Sequence, residues 1–319
     1  MQPQLGTTQP TGQPMAAMAA TPPGGRGRGR TFARAQAGMG LLFVAPSILL
    51  FLIFVILPAI TALYLSFTRY DILTPAQWIG LDNYKRILDD TLFHRSLRNI
   101  VMYVAMYVPS MIALSLLLAM ALNRKRPGVV FFRAVYYLPV VTSPVAAATV
   151  WTWLLHKDFG AVNEALGWFG ISGPAWLAQS NTALYAIVLV TLWQGIGGNM
   201  IIYLAGLQGV PGELVEAAKL DGASGIQVFR DVTWPMLRTT TLFVVTVTLI
   251  GSFQLFDQAY VMTQGGPGYA TLTPVYSIYA NGFERLQMGY ASSQAFVVFL
   301  IILFVTLIQL RINRENIYV

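Results

Sequence analysis

Amides and hydroxyls spaced to share a helix face stand in this chain inside long apolar runs. Thr191, Gln194, Gly195, Gly198 and Asn199 follow the i, i+3, i+4, i+7, i+8 spacing of one face. Further on, Thr248, Gly251 and Ser252 share a second face, and Gln254, Asp257 and Gln258 make another. Amides and hydroxyls both donate and accept, which suits a polar pathway for a solute covered in hydroxyl groups. The same residue types also serve helix packing, where small residues let backbones approach and amides bond across helices. Asp257 is the one acid inside an apolar run, and such charges face a bundle interior or a wet cavity. Its place near the end of that run equally suits a cap on the turn that follows.

Reaction chemistry is not readable. The chain has no cysteine, which removes disulfides, thiolate nucleophiles and cysteine zinc sites. His94 and His156 lie far apart and in no metal-ligand spacing. No Gly-x-x-x-x-Gly-Lys-Ser/Thr run occurs, so ATP is not bound by that route. Without a nucleophile–base pair or a carboxylate dyad, the chain reads as non-catalytic, with no metal and no cofactor of its own.

The solvent of these residues is lipid. Of 319 residues, 55% are hydrophobic and 10% charged, against about 25% charged in soluble domains. Six stretches have the roughly 20 apolar residues a spanning helix needs: 39–67, 99–122, 129–156, 182–207, 239–262 and 291–312. The third carries Arg133 near its start and Pro139 and Pro144 inside, which predicts a kink and a short amphipathic lead-in. Residues 1–38, rich in Gln, Pro, Gly and Ala with Arg26, Arg28, Arg30 and Arg34, read as a disordered basic tail before a six-span domain over 39–319. With that tail inside, the segments around Arg124–Arg126, Lys219–Arg238 and Arg311–Arg314 also fall inside and hold most of the 20 Lys and Arg. The positive-inside rule then predicts both termini in the cytoplasm.

Between the fourth and fifth stretches, residues 208–238 form a charged island. Pro211 suits the first turn of a helix, and Glu213 and Glu216 suit its positive end. Asp221-Gly222-Ala223 should break that helix. A second short helix around Ile226–Arg230 should end before Trp234-Pro235, because the residue before proline avoids the α region. Two short helices joined at a bend would project from the membrane as a knob.

The string Glu216-Ala217-Ala218, two residues, Asp221-Gly222-Ala223, five residues, Phe229, then Val232 and Pro235 resembles the EAA loop of ATP-binding-cassette importer permeases. Two further segments resemble the sugar-permease branch of that family, Trp78–Tyr84 and Thr263–Gly268 followed by Thr271, Tyr276 and Tyr279. The resemblance implies an all-α, six-span type I importer transmembrane domain in a bacterial plasma membrane. It implies a carbohydrate substrate, a solute-binding protein outside, a second homologous permease, and two cytosolic ATPase subunits that carry ATP and magnesium. Glu213, Glu216, Ala217, Ala218, Asp221, Gly222, Ala223, Phe229 and Pro235 would then couple the spans to the ATPases. Alternatives are an ion-coupled secondary transporter, for which Asp257 is the one available intramembrane acid, and a permease for a solute such as glycerol phosphate.

Overall fold

The computed structural model describes residues 43–124 and 126–314. The basic tail expected over 1–38 lies outside the described residues. Those up to Pro58 and those from Ala59 onward form separate units. In the first, the chain has already entered an apolar helix, α1 (Phe43–Ser66), and none of its residues as far as Pro58 is buried. A helix apolar on every side belongs in hydrocarbon or in a large core. It widens into a π turn at Leu52–Ile56, where the Leu57 N–H bonds the Leu52 carbonyl. The wide turn precedes Pro58, whose ring would strike a carbonyl in the regular ladder.

In the second unit, β1 (Thr68–Arg69) pairs antiparallel with β2 (Gln77–Trp78), Thr68 facing Trp78. Buried Asn83, at the start of α2 (Asp82–Asp89), donates to the Ser66 and Thr68 carbonyls at 2.9 and 2.8 Å. α3 (Thr91–Leu122) begins at Thr91 rather than at 99, where the apolar run starts. Asp90 caps it by accepting from the Leu92 and Phe93 N–H groups.

α3 and α7 (Ala183–Gln208) form the axis of the fold. Ile100, Tyr103, Ile187 and Val190 belong to one buried cluster, and Ala119, Met200, Tyr203 and Leu204 to a second. The third apolar stretch is bent where Pro139 and Pro144 predicted a kink: α4 (Val129–Tyr137) and a 3₁₀ turn to Val141 meet α5 (Pro144–Leu154) at 100°. Ser143, held extended before Pro144, makes the bend. Arg133 on α4 donates to the Leu122 carbonyl at 2.7 Å, a cation at the negative end of α3. A short helix, α6 (Ala161–Trp168), precedes α7.

The fifth stretch also departs from expectation. Its helix, α10 (Arg238–Phe253), stops short of 262, and the chain is irregular at Gln254–Phe256 before a π turn at Ala259–Thr263. The Leu255 carbonyl freed by this break accepts from the Thr273 hydroxyl at 2.8 Å, as backbone at membrane depth requires. α11 (Pro274–Tyr279) and α12 (Met288–Arg314) complete the described residues. Among the described residues, four unbroken helices are long and apolar enough to cross a membrane, and up to six spans are reached if each of two bent pairs counts as one. The second pair joins Gly225–Met236 to α10 at 68°.

Candidate functional site

The helical spacing of the polar residues has a spatial meaning. Thr191, Gln194, Gly195 and Asn199 of α7 line one cavity of about 330 Å³, at the lower end of the roughly 300–1,000 Å³ of small-molecule sites. Thr248, Gly251 and Ser252 of α10 line the same cavity. Gln254 reaches it from the break after α10, and Asp257 and Gln258 from the helical turn that resumes after the break. Gly198 does not line it. Apart from Gly198, the residues read as pathway candidates therefore converge on one cavity, from α7, from α10 and from the segment that follows α10.

Part of this polarity is internal. Thr191 donates to the Ile187 carbonyl and accepts from the Tyr103 hydroxyl at 3.0 Å. The Asn199 amide donates to Thr248 Oγ1 at 3.2 Å, and the Gln258 amide to Gln194 Oε1 at 2.9 Å. Gln194 in turn donates to the Thr142 carbonyl at the bend between α4 and α5, over 3.4 Å. The groups cross-link α7, α10 and the bends, as helix packing requires, and they also wall a cavity. Gly251 carries no such duty, since a Cβ there would meet no atom within 4 Å.

Tyr103 and Tyr107 of α3 complete the wall, with ring centroids 5.1 Å apart and planes 13° from parallel, and Phe256 adds a further ring. Sequence reasoning missed the tyrosines. Their i, i+4 spacing in an otherwise apolar helix was the available signal.

At the far end of α7 the chain leaves the apolar region through Gly209 and Val210 into α8 (Gly212–Leu220). Pro211 stands one place before the first turn, as the residue that caps it, and Glu213 lies inside that turn. Gly222 ends α8 with φ +83°. Its N–H bonds the Lys219 carbonyl, and the Ala223 N–H bonds the Ala218 carbonyl, the paired closure that a left-handed glycine permits. Ser224 and Gln227 then form a reciprocal capping box at the start of α9 (Gly225–Val228). That Ser-x-x-Gln signal was legible and unused.

The second short helix does not stop before Trp234-Pro235. It runs through a π turn at Phe229–Thr233 into Trp234–Met236, with Trp234 in the α region. The Trp234 N–H bonds Phe229, five residues back, so the ladder is already displaced where Pro235 lacks a donor. The spacing of π turn and proline is the same as at Leu52–Pro58.

Buried Val228 and Leu237 hold the base of the bend, and Leu237 and Phe229 join the cluster around Tyr203. Glu213, Glu216, Ala217, Asp221 and Gly222 are exposed, while Ala218, Ala223 and Pro235 are half-buried. Two apolar side chains stand on the bend with no cover, Leu220 at 88% and Ile226 at 81% exposure.

Apolar helices around a polar cavity that Asp257 also lines, with a helical bend beyond them, define a membrane permease of the importer type. The chain belongs to the family described as binding-protein-dependent transport system inner membrane component, whose model matches residues 91–317. It is thus a multi-pass membrane transport component. It is 36% identical over 274 residues to the probable ABC transporter permease protein YesP of Bacillus subtilis (strain 168), covering 84% of this chain and 88% of that one. It is 33% identical over 283 residues to the arabinooligosaccharides transport system permease protein AraP of Halalkalibacterium halodurans, covering 88% and 89%. Its fold matches a chain in the crystal structure of a bacterial ABC transporter involved in the import of the acidic polysaccharide alginate. The TM-score is 0.79 at 22% identity, over 90% of this chain and 99% of that one.

Proposed function

We propose that the chain forms half of the translocation pathway of an ATP-driven carbohydrate importer, fed by a solute-binding protein outside and completed by a second homologous permease. Two cytosolic ATPase subunits, which carry ATP and magnesium, drive the pair. Each receives one bend of the kind formed by residues 211–237, and the bend passes their closure to α7 and α10. The loop and both termini lie in the cytoplasm.

The cavity carries this reading. Its wall carries amides, hydroxyls, aromatic rings and the Asp257 carboxylate, groups that bond and cover hydroxyl-bearing rings, and among the described residues it holds no basic side chain for an anionic solute. The arabinooligosaccharide transporter named above, 33% identical, supports the carbohydrate class. The loop supports the drive: its backbone closures fix the angle between α8 and α9, its base is buried, and its exposed tip offers Leu220 and Ile226 to a cleft.

The test is ATP hydrolysis by the whole complex in liposomes, with binding protein and sugar present. Gln194→Ala and Asn199→Ala should each reduce the sugar-dependent stimulation several-fold while leaving the unstimulated rate in place. Unchanged stimulation and sugar affinity in both variants would return these residues to helix packing and remove the cavity from the pathway. Sugar uptake by vesicles that lack ATP but hold an ion gradient would replace the proposed drive with ion coupling.

A further inference from the structure

We propose that the end of α3 and α7 remote from the 211–237 loop binds one anionic phospholipid, its phosphate between Arg95 and Arg98 and one acyl chain along α7. The first observation is a cavity of about 730 Å³ at the overhanging start of α3, lined by His94, Arg95 and Arg98 together with Ser180, Asn181 and Tyr185 at the start of α7. Among the described residues no acid lines it, and neither guanidinium has a carboxylate partner. Paired guanidiniums with hydroxyl and amide donors beside them are chemistry for a phosphate. Arg98 directly precedes the apolar run that opens at 99, which puts the pair at headgroup depth.

A second cavity decides between a free anion and a lipid. It has about 530 Å³ and is lined by Tyr185, Leu189, Trp193 and Ile196 of α7, with Leu114 of α3 and Pro139. Tyr185 lines both cavities, so the cationic pocket and the apolar groove adjoin at its side chain. From Tyr185 to Ile196 the groove follows α7 for about 16 Å at its helical rise, about half of a hydrocarbon core roughly 30 Å thick. That is the depth of one leaflet. Tyr185, Leu189 and Ile196 lie on the face of α7 opposite Gln194, turned away from the polar cavity. A soluble anion or an acidic side chain of a partner protein would satisfy the arginines and leave the groove unused. A lipid with a net negative headgroup satisfies both.

The experiment is native mass spectrometry of the full chain in mild detergent, with phosphatidylglycerol or phosphatidylcholine of the same acyl chains added. Phosphatidylglycerol should bind at least tenfold more tightly. Arg95→Gln with Arg98→Gln should weaken it about thirty-fold, taking each arginine at its usual attraction to an anionic surface. The same change should leave phosphatidylcholine unaffected. Leu189→Trp, which fills the groove, should weaken phosphatidylglycerol without touching the arginines, and Arg285→Gln should change nothing. Equal binding of the two lipids overturns the proposal, and this comparison needs no variant. Displacement of phosphatidylglycerol by millimolar inorganic phosphate would make the pocket a soluble-anion site and also overturn it. So would a double variant that keeps its lipid and loses only stimulation by the binding protein.

Discussion

The Tyr290 hydroxyl donates to Asp90 Oδ2 over 2.6 Å, joining residues 200 positions apart. The other carboxylate oxygen caps α3, and the Arg86 guanidinium lies 3.9 Å from the centre of the Tyr290 ring. One carboxylate thus ties α12 to the start of α3. Tyr290→Phe should lower stability by about 1.5–3 kcal/mol, the range for a bond to a charged group.

That bond has a pH signature. Burial pushes the Asp90 carboxyl up, but the bonds from Tyr290, Phe93 and Leu92 and the nearby Arg86 together outweigh it and leave it below its ordinary value. A lowered folded-state value contributes stability that is present above the unfolded carboxylate pKa, about 4. That contribution is lost as pH falls through the folded value. Melting temperatures of wild type and Tyr290→Phe should therefore converge on acidification from about pH 7 to about pH 3. A gap that stays constant would detach the bond from the titration.

Gly222 takes a backbone angle that costs other residues about 1–2 kcal/mol, and its N–H is spent on Lys219. Gly222→Pro loses both features, and Glu216→Lys reverses an exposed charge beside the bend. Both variants should insert and keep their spans, yet retain less ATPase subunit on purification and lose uptake, Gly222→Pro by at least about tenfold. Wild-type uptake in both would remove the loop from the coupling path.

Leu220→Asp and Ile226→Asp test the docking tip alone. Both positions are open surface, where substitutions usually move stability by less than about 0.5 kcal/mol. Unaltered melting with weaker ATPase association is expected. Unchanged association would place the contact elsewhere on the loop.

Gly251→Ala puts a methyl into the polar cavity where a Cβ meets no atom within 4 Å. Expression and melting should match wild type while sugar-stimulated hydrolysis falls. Full stimulation would mean that the solute passes by another wall.

How much of this was legible in the sequence depended on what each signal measures. The stripe on α7 could be read because a 3.6-residue period survives any packing. The break after Phe253 could not, because Leu255, Phe256 and Ala259 keep the composition apolar across it, and what sustains it is a bond from distant Thr273. Tyr103 and Tyr107 stayed hidden because an aromatic in a span also fits an interfacial belt. At Trp234-Pro235 the local rule was sound but was overridden by a π turn one step earlier. The bend itself was legible at Gly222, where backbone demand and residue type coincide.

Gly197 sits where α7 meets the α4 segment, and a Cβ there would run into the Tyr136 carbonyl. Every coding change at this position adds at least that carbon, and backbone cannot step aside as a flexible side chain can. In a library randomised along α7 and selected for growth on the transported solute, codon 197 should come back as the parent residue alone. Neighbouring Gly198, which has ordinary room around it, should drift.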